Sequence, residues 1–267
     1  MESLIGDGAA LLELHGAVAH LQLNRPDVAN GLDINLLESL HDALVICHGD
    51  ARVRAVLLSG RGSNFCAGGD VRAFASKGDA LTYYIRQATH HLQAVIGLLI
   101  NLEAPVVVAV QGFAAGGGGM GLVCAADLVV AAQSAKFLAG VTRVGMAPDA
   151  GLSVTLPRLV GPRKAAEMLL LNTTVSAPEA LTLGLVNRLA PDAELPAAAM
   201  TCAQELAQGA PRALAATKRL LWAGIGLGVG AAMPEESRTV ADLCRTEDVR
   251  EGLAAVIEKR PAHFGGR

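Results

Sequence analysis

Between Ala104 and Ala126 the chain runs for 23 residues without a charged side chain, enough for a helix to cross the hydrocarbon core of a bilayer. Its interior argues against that reading. Pro105, Gln111 and the run Gly116 to Gly119 divide the stretch into a Val-rich strand, a glycine turn and a small-residue helix. Breakers so placed leave no continuous span with its backbone satisfied in lipid. A strand apolar on both faces that feeds straight into a helix is instead a unit of a parallel α/β sheet.

The same alternation extends to both sides. Leu11–Leu14 and Val18–Leu23 read as short strands parted by His15-Gly16, and Asn24-Arg25-Pro26-Asp27 as a turn. A helix follows from Asp33, with Leu36, Leu37, Leu40 and Leu44 at helical spacing. Val53–Leu58 is a buried strand, Thr82–Leu99 a helix, and Val106–Val110 and Leu128–Ala131 two further strands. After Pro148 the pattern turns helical: Ala150–Leu159, Arg163–Leu171, Ala177–Leu183, Pro196–Gln208, Pro211–Ala223, Glu235–Cys244 and Asp248–Lys259. Leu243, Val249, Leu253 and Val256 give the last pair an apolar stripe in need of a partner surface. We therefore expect an α/β core over residues 1–195 and a C-terminal helical region over 196–267.

Charge and cysteines narrow the function. Twenty-two basic against 25 acidic residues, a net charge of -3, supply no cationic stripe for nucleic acid or an anionic membrane surface. Met1-Glu2-Ser3-Leu4-Ile5-Gly6-Asp7 carries acid where a secretory leader carries base. Five scattered cysteines, an odd number with no C-x-x-C pair, predict reduced thiols and no zinc site. The expectation is a cytoplasmic protein with no metal, no nucleic-acid partner and no membrane span.

Two glycine-rich turns are placed to bind an anion. In Ser63-Asn64-Phe65-Cys66-Ala67-Gly68-Gly69-Asp70 the paired glycines let the backbone approach a ligand closely. With Asp70 capping the short helix that follows, the amides around Gly68 and Gly69 are candidate donors to an oxyanion. An ordinary strand-to-helix turn has the same pattern. In Val106 to Gly119 four glycines open a helix whose free amides and dipole favour negative charge. No convincing acid about twenty positions on, and no Gly-Lys-Ser/Thr, makes it a dinucleotide fingerprint or a phosphate loop.

In this order and at these spacings, Leu23-Asn24-Arg25-Pro26, Val53 to Gly60, Phe65 to Asp70, Pro105 to Gly118 and Ser134-Ala135-Lys136-Phe137 resemble the crotonase, or enoyl-CoA hydratase/isomerase, superfamily. The likeness continues through Leu156-Pro157-Arg158-Leu159-Val160-Gly161 and Ala177 to Val186 to Glu258-Lys259-Arg260-Pro261, so it covers nearly the whole chain. It implies a crotonase-like superhelix of ββα units with a C-terminal α-helical trimerisation region, assembled as a homotrimer or hexamer. It also implies an acyl-CoA thioester as substrate, with no separate cofactor. The family's two oxyanion-hole amides map to Gly69 and to Gly117, or to Gly118 because the segment is one residue longer here. Each such donor lowers the barrier to a thioester enolate by roughly 3–4 kcal/mol. By the same resemblance CoA lies along Val28, Ala29, Asn30, Ala67, Gly68 and Asp70. Arg25 would serve the phosphates, and Lys259 or Phe264 of the partner subunit would cover the adenine.

The glutamates with which the family's hydratases activate water fall here on Met120, or Gly121 if the extra glycine shifts the register, and on Val141. None of these moves a proton. One acid is in place. Asp149, in Val144-Gly145-Met146-Ala147-Pro148-Asp149-Ala150-Gly151, matches the proton-shuttling aspartate of the dienoyl-CoA isomerases and of the phenylacetate-type isomerases, and the flanking segments look most similar to the latter. We expect an isomerase in which Asp149 carries a proton from C2 to C4 of a 3-enoyl-CoA. An aspartate there can also be a plain helix N-cap. Other readings stay open: a weak hydratase, a binding protein without turnover, and a hydrolase similar to 4-chlorobenzoyl-CoA dehalogenase. The last resemblance, around Ala114 to Gly118 and Ala165 to Leu170, lacks that enzyme's tryptophan (Val141 here) and histidine (Gln93). His90 and His91 read as surface or half-buried helix residues. Cys66, with no histidine near it in sequence, reads as a small buried residue rather than a nucleophile.

Overall fold

Strands and helices alternate as the apolar pattern requires in the computed structural model, which describes residues 1–267. β1 (Glu2–Ile5), β2 (Ala10–His15) and β3 (Val18–Leu23) form an antiparallel meander, α1 (Ile34–Gly49) crosses over, and β4 (Ala55–Gly60) returns parallel to β3. Next come α2 (Val71–Ala75), the long α3 (Leu81–Asn101), β5 (Val106–Val110), β6 (Phe113–Ala115), α4 (Gly116–Cys124), β7 (Leu128–Ala132) and β8 (Lys136–Leu138). α5 (Leu152–Val160), α6 (Pro162–Leu170), β9 (Val175–Ser176), α7 (Ala177–Thr182) and β10 (Arg188–Ala190) lead to α8 (Leu195–Ala207), α9 (Pro211–Gly224), α10 (Val229–Leu243) and α11 (Glu247–Glu258). Seven strands form the main sheet in the order β1-β2-β3-β4-β5-β7-β10, parallel from β3 onward. β6, β8 and β9 make a second sheet of three short strands. No helix is long and apolar enough to cross a membrane.

Every residue of β5 is buried, as are Ala55 to Leu58 of β4, and strands of that kind need cover on both faces. α1 packs on β2 and β3, and α8 on β4, β5, β7 and β10. Leu195, Ala199, Cys202, Ala203 and Ala207 of α8 belong to the main hydrophobic core. α8 therefore packs as a core helix, and the helices that bury little begin with α9.

α9, α10 and α11 bury only Lys218, Thr239, Asp248 and Ala255 between them. Lys218 clips α9 to the core. Its ammonium pairs with Asp127 at 2.7 Å and donates to the Leu99 carbonyl at 2.8 Å, while Asp127 also accepts from the Val106 amide at 2.7 Å. Burial pulls the Lys218 pKa down, and Asp127 opposes that pull. The C-terminal tail folds back on its own chain. Arg54 donates to the carbonyls of Phe264 and Gly209 at 3.0 and 2.8 Å, and the amides of Gly265 and Gly266 donate to the Asp248 carboxylate.

Candidate active site

One asparagine holds the site from behind. Asn30 is fully buried, in the left-handed region at φ 55°. Its Nδ2 donates to the carbonyls of Arg61, Asn64 and Phe65 at 2.9, 2.9 and 3.0 Å, and its Oδ1 accepts from the Arg25 amide at 2.9 Å. The loop after β4 is thereby fixed against the first turn. Backbone bonds then zip that loop to the strand ahead of α4: Phe65 N to Gln111 O at 2.9 Å, Cys66 N to Phe113 O at 3.1 Å, and Ala115 N to Cys66 O at 2.8 Å.

This pairing presses two glycines together. Gly68 has φ 88° and Gly116 φ 67°. A β-carbon on Gly68 would fall 2.7 Å from both Ala115 O and Gly116 Cα, and one on Gly116 would fall 2.8 Å from Gly68 Cα. Positive φ and close approach together admit glycine alone. The contact sets the next residue of each turn side by side. Gly69 bridges to Leu32, but the bonds of that bridge are made by Gly68 O (from Leu32 N, 2.7 Å) and Asp70 N (to Leu32 O, 2.9 Å). The Gly69 amide is left on the opposite edge, at a cavity that Gly69 lines. Gly117 and Gly118 line the same cavity from the first turn of α4, where amides have no intrahelical acceptor.

The cavity encloses about 440 Å³ and has apolar walls from Phe74, Leu81, Ile85, Leu92, Leu138 and Val144. Thr89, Arg143 and Asp149 are the only other polar side chains on it, and Asp149 is the only carboxylate. Asp149 is not a helix cap. Ala150 (φ 53°) and Gly151 (φ 73°) are both left-handed, so α5 starts at Leu152 rather than at Ala150, and Gly151 holds the cap position. Asp149 Oδ1 is buried without a hydrogen-bond partner. Burial raises its pKa, against the smaller effect of a backbone hydrogen bond. An orphaned acceptor costs about 1–3 kcal/mol and calls for a functional explanation. Val141, 8% exposed, lines the cavity beside Gly117, whereas Met120 is fully buried and does not.

The remaining expected residues divide. Ala29 O accepts from Ala67 N at 2.9 Å, so Val28–Asn30 and Ala67–Asp70 do share one edge. Asp70 caps α2, accepting from Arg72 and Ala73 amides at 3.1 and 3.0 Å. Arg25, expected at the phosphates, has its guanidinium 3.1 Å from both Asp33 and Asp70 and donates to the Gly31 carbonyl. It clamps the first turn to the loop that carries Gly68 and Gly69. Lys259 is exposed at the left-handed end of α11, and Phe264 packs on Gly252 of its own chain; neither lines the cavity.

His90 is exposed and His91 lies 3.7 Å from Glu38, both away from the cavity. Cys66 is buried, bonded to Asn30 O at 3.3 Å, and burial pushes its thiol up to about 12, which removes it as a nucleophile. Thr89 and Arg143 went unforeseen. The spacing of Leu81, Ile85, Ala88 and Leu92 marks an apolar face of α3, but not that this face meets the second glycine turn.

Paired backbone donors, one unpaired carboxylate and apolar walls suit a reaction that passes through an enolate. Residues 13–267 match the family model described as enoyl-CoA hydratase/isomerase. The chain is 37% identical over 255 residues to the "Probable enoyl-CoA hydratase" of Rhodobacter capsulatus, covering 96% of this chain and 97% of that one. It is 33% identical over 256 residues to the crotonyl-CoA hydratase of Syntrophomonas wolfei, covering 95% and 96%. The crystal structure of an enoyl-CoA hydratase from Polaromonas sp. JS666 superposes with a TM-score of 0.92 at 29% identity, covering 97% of this chain and 100% of that one. A match over this length, joined to the two glycine turns that meet at the cavity, makes the chain a member of the enoyl-CoA hydratase/isomerase, or crotonase, family.

Proposed function

We propose that the protein is an acyl-CoA isomerase that shifts a double bond from the 3- to the 2-position of an enoyl-CoA, or performs a related ring isomerisation, in the manner of the phenylacetate-type enzymes. One observation carries this reading: the cavity holds a single carboxylate, Asp149, whose Oδ1 is buried, unpaired and directed at Gly117. A carboxylate raised by burial is a better base than an ordinary one. It takes the proton from C2, and the C–H electron pair forms the enolate. The negative thioester oxygen rests on the amides of Gly69 and Gly117. Gly117 is preferred over Gly118 because it directly follows Gly116, whose absent β-carbon would stand 3.6 Å from Gly69 N. Asp149 then returns the proton to C4 as the C3–C4 double bond becomes C2–C3. Atoms balance with no cofactor besides the CoA thioester.

CoA would run along Val28–Asn30 and Ala67–Asp70 toward the cavity. Apolar side chains left exposed on α9 to α11, among them Leu221, Val229, Val256 and Ile257, support self-association as a trimer or hexamer. Sedimentation velocity should then give a species of three or six chains, and a monomer would remove this part of the reading. Five unpaired thiols suit a reducing cytoplasm.

Hydration is the second reading, favoured by the names of the relatives. There Asp149 would activate water instead of C2. Assays with 3-hexenoyl-CoA and crotonyl-CoA, on wild type and Asp149→Asn, separate the two. Isomerisation that vanishes in the variant, with negligible hydration, supports the proposal. Efficient hydration of crotonyl-CoA makes the protein a hydratase. Binding of both without turnover leaves the ring isomerisation and a non-catalytic acyl-CoA-binding protein, which assays with aromatic CoA thioesters separate.

A further inference from the structure

Three side chains outside the cavity converge on one face of the N-terminal meander. The β2–β3 register sets Glu13 opposite His20, and His15, two residues beyond Glu13, shares their face. Leu12, Leu14, Ala19 and Leu21 take the other face and are buried. One carboxylate oxygen and one nitrogen from each imidazole lie within 4.8 Å of one another. His15 Nε2 is 3.0 Å from Glu13 Oε2, and His20 Nε2 is 2.9 Å from the Ser59 hydroxyl on β4. Side chains of His15 and Glu13 are 28% and 30% exposed, so the cluster is half-buried with one side open to water. Enolate chemistry uses none of these groups, and none lines the cavity.

We propose that Glu13, His15 and His20 form a binding site for one divalent transition-metal ion, with zinc the best fit, and with water or the Ser59 hydroxyl as fourth ligand. Two imidazoles and a carboxylate are a borderline donor set of the kind zinc takes. Bonds of about 2.0–2.2 Å place tetrahedral ligand atoms roughly 3.3–3.6 Å apart. Ligand atoms that already lie within 4.8 Å of one another, on a backbone fixed by the ladder, would close to that spacing by side-chain rotation. Such an ion would tie β2 to β3 and, through Ser59, to β4. Arg61 is near enough for its charge to act on His20, and that charge opposes a cation. Positions 13, 15 and 20 form no linear motif; strand register assembles them, so a search for metal ligands among the cysteines passes over them.

Calorimetric titration of the tag-free chain with zinc chloride tests the site, in a Cys244→Ser background because Cys244 is the one exposed thiol. The expected result is one ion per chain, with affinity lowered about a hundredfold by His15→Ala and by His20→Asn. Arg61→Gln should tighten binding, and His91→Ala should leave it unchanged. Cobalt(II) in place of zinc should give the visible absorption of a four-coordinate nitrogen and oxygen site. Absence of saturable binding, or binding that survives loss of both His15 and His20, overturns the proposal. Should His20→Asn melt below wild type, His15→Ala at its more open position decides the matter.

Discussion

The carboxylate of Asp149 occupies the space into which a side chain on Gly117 would project, with Oδ1 as the nearest atom. The carboxylate and the Gly117 amide, the base and oxyanion donor of the proposed reaction, are thus fixed relative to each other by the lack of a methyl group. Gly117 has helical rather than left-handed φ, so alanine is acceptable to the backbone and favours α4 by up to about 1 kcal/mol. Gly117→Ala should nevertheless lower turnover about a hundredfold by displacing the carboxylate, with little change in thermal unfolding. Full activity in this variant would show that Asp149 is free to move.

Asp149→Asn should gain stability as it loses activity. The folded-state pKa is raised above the ordinary aspartate value of 3.8, so ionisation disfavours the fold, and stability falls as pH rises through the raised pKa. Removing the charge should therefore add about 1 kcal/mol at neutral pH, a gain that shrinks toward acid. Urea unfolding at two pH values measures it. In the wild type, turnover should fail in acid with a midpoint above 3.8; a midpoint at or below it would contradict burial as the cause.

Val141→Glu places a second carboxylate on the cavity wall, beside Gly117. Hydration of crotonyl-CoA should rise at least roughly tenfold, below the usual contribution of a well-placed acid–base group. Burying the new side chain should cost about 1–3 kcal/mol. No gain in hydration would mean that water is not admitted to that wall.

Lys218→Met leaves Asp127 without its partner. Because Asp127 retains 19% exposure, the loss should fall near the low end of the usual range for a broken buried pair, about 3 kcal/mol. The urea midpoint should drop while KM for acyl-CoA stays unchanged. A KM shift would connect α9 to the cavity.

The middle of the sheet was legible because its signal is local. Val106–Val110 is a continuous apolar run and begins and ends as expected, and Asp33 caps α1 by accepting from Leu36 N at 2.9 Å. Strands of two or three residues carry no period. β6 and β8 exist because residues 113–115 meet 136–138 across a distant crossover. Pro234 hid the start of α10, which begins at Val229, six residues before the expected Glu235. In the site, the glycines and Asp149 were legible from their spacing within a recognised pattern. Asn30 was expected only to line a groove with backbone. Its side-chain role depends on three carbonyls more than thirty residues away, brought to it by the fold.

The back-to-back contact of Gly68 and Gly116 has a consequence for what this scaffold can become. The donors proposed to stabilise charge are peptide N–H groups, which any residue except proline supplies, so on that reading the apparatus is encoded by missing side chains rather than by present ones. An alanine scan that skips glycines would pass over it. Conversely, the side chains at positions 141 and 149 can be exchanged without rebuilding the proposed donors, so the reaction could change while the means of holding its intermediate stayed intact.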